Sequence, residues 1–217
     1  MSRKPISVTI TSDFICPWCF IAERRLNKEA EDLGVTLDLS YQPYELNPDM
    51  PKAGVNRKEY RSRKFGNWEH SQKLDAKTIE AAQADPLTFN YEKIEVTPNT
   101  LGAHRLINFV QRVAPDKAAI VADLIFEGYF SKGLDIGSTD SLVKIAAAAG
   151  LNADAVLAHL QSDDGADDVA NLEREAMLAG IRGVPFLVIG GQSLPGAASA
   201  ETMRALLLAA SSPDQEH

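Results

Sequence analysis

Two cysteines occur in the chain of 217 residues, Cys16 and Cys19, three positions apart in the stretch SDFICPWCFIAERRL. A thiol attacks or ligates only as thiolate, and a free pKa of about 8.5 leaves most of it protonated at neutral pH. The start of a helix favours the anion, because its unpaired N–H groups carry about half a positive charge. Pro17 suits the first turn of such a helix, which puts Cys16 at the helix end and Cys19 one turn in. At ~100° per residue, Cys19, Ala22, Leu26, Ala30 and Leu33 share one inward stripe. The thiols therefore divide: Cys16 is predicted to be the exposed, attacking thiolate and Cys19 the shielded thiol that resolves.

Other uses of this CxxC fit less well. A structural zinc site takes four ligands, and no two of His70, His104, His159 and His217 stand at a spacing that pairs with the cysteines. A structural disulfide over so short a loop removes little chain entropy. Glu23 lies four residues after Cys19 and has two readings. It is either a carboxylate reaching the rim of the core, or a partly buried acid that exchanges the Cys19 proton during resolution. Trp18 divides between core packing and a contact surface between the thiols.

The elements that must position this motif follow from hydrophobic period. ISVTI alternates apolar and polar and predicts a strand; a helix follows from Pro17 to about Leu33, with Gly34 just past its end. VTLDLSYQPY alternates again, with Val35, Leu37, Leu39 and Tyr41 on one face. After the Pro- and Gly-rich ELNPDMPKAGV, little reads as strand for over a hundred residues. NRKEYRSRKFGNWEHSQKLDAKTIEAAQ is polar and helix-prone, and helical patterns continue from TPNTLGAHRLINFVQRV to DDVANLEREAMLAG. VPFLVIGG then suits a buried strand, GGQ a turn and SLPG a short partner strand. Ser199 can cap a last helix carrying Met203, Leu206, Leu207 and Ala210. The order is β-α-β, a helical block, then α-β-β-α. It predicts an α/β protein whose two ends (residues 1–55 and 176–217) form one sheet-based unit with residues 56–175 inserted as an all-helical domain. The tail SSPDQEH is expected to be mobile.

The net charge of −8 argues against nucleic-acid binding and against polybasic docking to a membrane. No run approaches the ~18 apolar residues of a membrane span. MSRKPISVTI has no signal-peptide core or cleavage site, so a cytoplasmic protein is expected. In that reducing compartment a CxxC is catalytic or metal-binding rather than a staple.

CPWC after the first strand, the helical insertion and Val184-Pro185 before a late strand resemble the DsbA-like branch of the thioredoxin superfamily. Within it the chain resembles the FrnE group. The likeness runs through DFICPWCFIAERRL, YQPYELNPDMPKAG, PNTLGAHRLINF, IFEGYFSKGLDIG and GIRGVPFLVIGG, nearly the whole chain. It implies a thioredoxin-like fold with an inserted all-helical domain. It also implies that Val184-Pro185 is cis and lies against the CPWC loop, where the Val184 backbone pairs with a bound substrate chain. DsbA-like proteins carry an acid at the position of Glu23, and Asn99 and His104 would face the active-site groove. The residues alone read otherwise: Pro185 as trans, since most X–Pro bonds are, Asn99 as a helix cap and His104 as a packed helical residue.

The leading function is thiol–disulfide oxidoreductase: Cys16 attacks a disulfide, and Cys19 resolves the mixed disulfide. No bound metal or organic cofactor is needed; glutathione is a redox partner or co-substrate, and the partners are proteins or small molecules bearing thiols or disulfides. The runner-up is a glutathione-dependent isomerase or transferase of the hydroxychromene-carboxylate isomerase or kappa class, in which serine typically stands at the position of Cys16. A third reading is a chaperone-like binder using an interdomain groove. The oligomeric state is open.

Overall fold

The computed structural model describes residues 4–212, so the tail expectation falls mainly on residues outside that range. ISVTITS forms strand β1 (Ile6–Ser12), with Ile6, Val8 and Ile10 buried and Ser7 exposed, as its alternation requires. PWCFIAERRLNKEAEDL forms helix α1 (Pro17–Leu33), with Cys16 as its N-cap residue. Gly34 ends it in the left-handed conformation at φ 62°, the conformation a helix C-terminus needs and glycine adopts without strain. Strand β2 (Leu37–Pro43) runs parallel to β1, and α1 is the crossover that a parallel pair demands.

The chain then enters β3 (Val55–Asn56), α2 (Arg57–Phe65), α3 (Trp68–Ala81), β4 (Val96–Thr97), α4 (Leu101–Val113), α5 (Ala118–Phe130), α6 (Thr139–Ala148), α7 (Ala153–Gln161) and α8 (Ala166–Leu178). It returns through β5 (Phe186–Ile189), β6 (Gln192–Pro195) and α9 (Ala200–Ser211). The sheet order is β2-β1-β5-β6, with β1 antiparallel to β5 and β5 to β6. Val8 stands opposite Ile189 and Ile10 opposite Leu187, so the two ends of the chain meet in one sheet. Gly190 (φ 54°) and Gly191 (φ 85°) join Ile189 to Gln192, both in the left-handed region that a two-residue hairpin of this twist requires.

One element departs from the expectation of an all-helical middle. Val55–Asn56 pairs antiparallel with Val96–Thr97, a ladder too short for any period to register in the sequence. Between its arms, α2 and α3 are separated by Gly66 at φ 92°, and Asn67 caps α3 by accepting the His70 N–H at 2.8 Å.

The open edge of β2 is covered by a side chain. Gln111 on α4 accepts the Tyr41 N–H at 2.7 Å and donates to the Tyr41 carbonyl at 3.1 Å, pairing as a strand residue would and blunting the edge. Aromatic packing fixes α1 against the helical block. Phe20 stacks on Phe126 and Phe130 with centroids 5.4 and 5.8 Å away, and Phe14 packs on Phe126 at 4.9 Å. Arg24 adds ion pairs to Asp123 and Glu127 on α5. The helix that carries the cysteines is therefore clamped at its first turns, so their placement is set by packing rather than by a loose loop.

Candidate active site

The loop between β1 and α1 closes through the Cys16 N–H, which donates to the Asp13 carbonyl at 3.0 Å, while the Cys16 carbonyl accepts from Cys19 at 3.0 Å. Cys16 thus sits at the head of α1 beneath the free N–H groups of its first turn, with Pro17 supplying the helical φ. The Cys16 thiol points toward the Val184 carbonyl at 3.8 Å. The Val184-Pro185 bond is cis, as the resemblance implied and the residues alone did not, and it sets the start of β5 against the CPWC loop.

The division between the thiols takes a different form from the one predicted. Cys16 is not exposed: it is 5% accessible and Cys19 1%. What separates them is access, because Cys16 lines a cleft of about 450 Å³ and Cys19 does not. The reason is that α2 and α3 fold over the helix end, contributing Tyr60, Arg61, Lys64, Phe65, Lys77 and Thr78 to the opposite wall. Trp18 is 39% exposed at the cleft, on the contact-surface side of its two readings. Burial pushes the Cys19 thiol well above its ordinary range, with the Cys16 sulfur adding to the effect; the Asp13 backbone hydrogen-bonds Cys19 and lowers it, and the Asp13 charge raises it.

Behind the helical wall lies a buried ion cluster. Asp75 on α3 pairs with Arg57 and with Arg61 on α2, each at 2.8 Å, and the Arg57 guanidinium lies over the Trp68 and Tyr91 rings. Thr78 bonds the Tyr91 hydroxyl at 2.6 Å. At the cleft itself Arg61, Lys64 and Lys77 stand against the single carboxylate of Asp75, which makes the wall facing Cys16 cationic.

Glu23 is neither at the rim nor partly buried but 1% exposed, because β2 lays Tyr41 across it. The Tyr41 hydroxyl donates to Glu23 Oε1 at 2.8 Å, and Oε2 has no partner. No hydrogen bond joins Glu23 to Cys19 among the described residues. Burial pushes the Glu23 carboxyl up to about 8, against the Tyr41 bond, which lowers it. A raised folded value means the proton is held in the native state. The stability it confers is complete below the ordinary value of 4.5 and lost as pH rises through about 8. At about 1.4 kcal/mol per pH unit, roughly 3 kcal/mol is gone by pH 7. Glu23→Gln keeps an acceptor for Tyr41 and is expected to be more stable by a similar amount near neutrality. Urea unfolding of both proteins at pH 5 and pH 8 checks this; equal pH slopes would contradict it.

Asn99 and His104 do not line the cleft. Asn99 donates to the Met50 carbonyl at 2.8 Å and accepts the Leu101 N–H at 3.0 Å, tying the loop before β3 to the start of α4. His104 is buried beside Asp13, with Nε2 3.5 Å from Oδ1. Next to it, Arg105 donates to the carbonyls of His159, Leu160, Ser162 and Asp164, satisfying groups the end of α7 leaves without partners. Asp13 is the residue that the sequence reading passed over. Its only signal was an acid inside the apolar run before CPWC, and its burial depends on a distant partner, the Leu46 N–H at 2.7 Å.

The DSBA-like thioredoxin domain family matches residues 7–208. The chain belongs to that family. Its sheet order, the CPWC helix end and the inserted helices are those of a DsbA-like thioredoxin fold. A probable DsbA oxidoreductase of Streptomyces coelicolor is 28% identical, with a TM-score of 0.82 over 94% of this chain and 89% of that one. The cytosolic disulfide reductase DsbM of Pseudomonas aeruginosa, solved with GSH, shares the fold at 14% identity, with a TM-score of 0.65 over 94% and 98%. The uncharacterized Bacillus subtilis protein YwbO is 23% identical over 198 residues, covering 89% of this DsbA-like chain and 91% of that protein. Among the described residues of this DsbA-like chain, no helix is long and apolar enough to cross a membrane, and no group of His, Cys, Asp or Glu is arranged to hold a metal ion.

Proposed function

We propose that the protein is a thiol–disulfide oxidoreductase in which Cys16 is the nucleophile and Cys19 the resolving thiol. The observation that carries this is the Cys16 thiol at the head of α1, lining the cleft with Cys19 shut behind it. In the forward direction the Cys16 thiolate attacks a substrate disulfide, and one substrate sulfur leaves with the electron pair. Cys19 then attacks Cys16 and expels the other, so the substrate is reduced and the dithiol oxidised. Trp18 and Pro17 form the near lip of the cleft. The Val184 backbone, held by Pro185, is placed to meet an extended substrate segment beside Cys16, and Asn99 acts at one remove by fixing the loop before β3.

The cationic wall suits a partner with carboxylates. Arg61, Lys64 and Lys77 face the thiol against the single charge of Asp75, which fits glutathione as the small redox partner, the ligand named for the DsbM structure. FrnE-like specificity and a cytoplasmic site of action are part of the same reading, supported by the quoted motifs and by a cysteine complement limited to the CxxC. Equilibration in glutathione buffers tests it. The two thiols are expected to oxidise together in one two-electron transition, whose midpoint fixes the direction of electron flow. Thiols that stay unchanged across the whole range would refute dithiol exchange. Glutathione-dependent isomerisation or conjugation that survives loss of Cys19 would transfer the assignment to the isomerase and kappa-class relatives.

A further inference from the structure

The three cations that line the Cys16 cleft are not equally occupied. Arg61 is committed: Nε donates to Ser71 Oγ at 2.6 Å, Nη2 donates to Asp75 Oδ1 at 2.8 Å, and the guanidinium lies 4.8 Å from the centre of the Phe65 ring. Lys64 is committed too, its ammonium donating to Asn47 Oδ1 at 3.0 Å and to the Tyr60 hydroxyl at 2.9 Å. Lys77 differs from both. It is exposed and lines the same cleft, and among the described residues it makes neither a hydrogen bond nor an ion pair. Glu69, the acid on α3 that could serve a lysine, pairs with Lys73 instead.

The backbone beneath this free ammonium is fixed. The neighbouring Thr78 shares a hydrogen bond of 2.6 Å with the Tyr91 hydroxyl. One turn further along, Arg25 of α1 donates from Nη2 to the Ala81 carbonyl at 2.5 Å and from Nε to the two Asp85 oxygens at 3.0 and 2.9 Å. Arg25 belongs to the helix that starts beside Cys16, so a direct clamp between α1 and α3 sets the span from the sulfur to the base of Lys77. Ile15, Trp18, Leu46, Phe65 and Leu74 supply much of the remaining lining, and such a weakly polar surround strengthens the pull between opposite charges.

We propose that Lys77 is the specificity-determining cation of the cleft, and that it takes a carboxylate carried by a small disulfide substrate. This rests on the dithiol-exchange reading. A small substrate follows from the room available: Cys16 is reached only through a cleft of about 450 Å³, the size of a small-molecule site. The carboxylate settles on Lys77 and brings one substrate sulfur to the Cys16 thiolate. The other sulfur leaves with the electron pair of the broken bond and is protonated by water. Cys19 then loses its proton to solvent, bonds to Cys16 and expels the remaining thiolate, so one disulfide enters, two thiols leave and the protein dithiol is oxidised.

Three disulfides of nearly equal size test this: dithiodipropionate, which is anionic, hydroxyethyl disulfide, which is neutral, and cystamine, which is cationic. Reduced protein is mixed with each in excess and quenched in acid, and loss of the two free thiols is followed by mass after alkylation. The readout is the rate with dithiodipropionate divided by the rate with hydroxyethyl disulfide. Differences in intrinsic probe reactivity, and any general loss of active protein, cancel when this ratio is compared between variants. Lys77→Gln is expected to lower the ratio by about five-fold, the scale of one partly screened ion pair, and Lys77→Glu by about twenty-fold, with cystamine gaining correspondingly. Lys77→Arg keeps the charge and should hold the ratio within about two-fold of native. High salt should pull the native ratio toward that of Lys77→Gln. A ratio that stays near native in both Lys77→Gln and Lys77→Glu would overturn the proposal. An equal or larger fall in Lys64→Gln than in Lys77→Gln would do so as well. Failure of all three disulfides to oxidise the native protein would instead refute dithiol exchange itself.

Discussion

Cys16→Ser is expected to lower disulfide reduction by about four orders of magnitude or more, the scale on which loss of a covalent nucleophile is felt. The substitution keeps the shape of the helix end and the approach to the Val184 carbonyl. What it removes is an intrinsically very nucleophilic sulfur, which a serine hydroxyl does not replace. Cys19→Ser should behave differently. The first attack is retained, the thiol behind it is gone, and the mixed disulfide accumulates until one substrate moiety is attached per chain. Intact-mass measurement before and after reduction reads this directly. Because the chain has no further cysteine, retained turnover in Cys16→Ser would remove dithiol chemistry from consideration altogether.

The second large effect concerns the wall opposite the thiol. Asp75→Asn is expected to destabilise the protein by about 3–5 kcal/mol, because it leaves two largely buried guanidiniums facing each other without a counter-charge. The side chains of Arg57, Arg61 and Asp75 are 5%, 17% and 10% exposed, so water screens them little. For a chain of this size such a loss lowers the melting temperature by roughly 10 °C. Thermal and urea unfolding of the variant give the number; a loss below about 1 kcal/mol would place the pair among screened surface contacts. Arg61 should also lose its fixed orientation, since the carboxylate and Ser71 are what hold it beside the cleft.

How much of this was legible depended on whether the determining contact is local. The strand ISVTI, the helix from Pro17 to Leu33 and its Gly34 stop follow from period and backbone chemistry within a few residues, and they appear at those positions. Ser199 likewise caps α9 through the Thr202 N–H. The ladder of Val55–Asn56 with Val96–Thr97 has no such signature, because two residues carry no alternation and the pairing joins positions that are far apart in sequence. Glu23 shows the same limit within the site. Its place on α1 was readable, but its complete burial comes from Tyr41 on the neighbouring strand, set by the parallel register of Ile10 with Tyr41. Cys16 was expected in the open for a similar reason: nothing in the CPWC stretch tells that a polar, lysine- and arginine-rich segment some forty residues later folds over it.

That segment leaves and re-enters the protein at one place. Asn56 and Val96 are paired neighbours, so residues 57–95 form an excursion closed at its own base, while both cysteines and the cis-proline belong to chain outside it. The thiol pair and the cationic face opposite it are therefore carried by different stretches of sequence. The excursion is nevertheless anchored on the helix that carries the thiols, through Asp85 on Arg25 and Phe89 against Phe20. Its exposed lysines and arginines, rather than these anchors, are where sequence can change at the least structural cost.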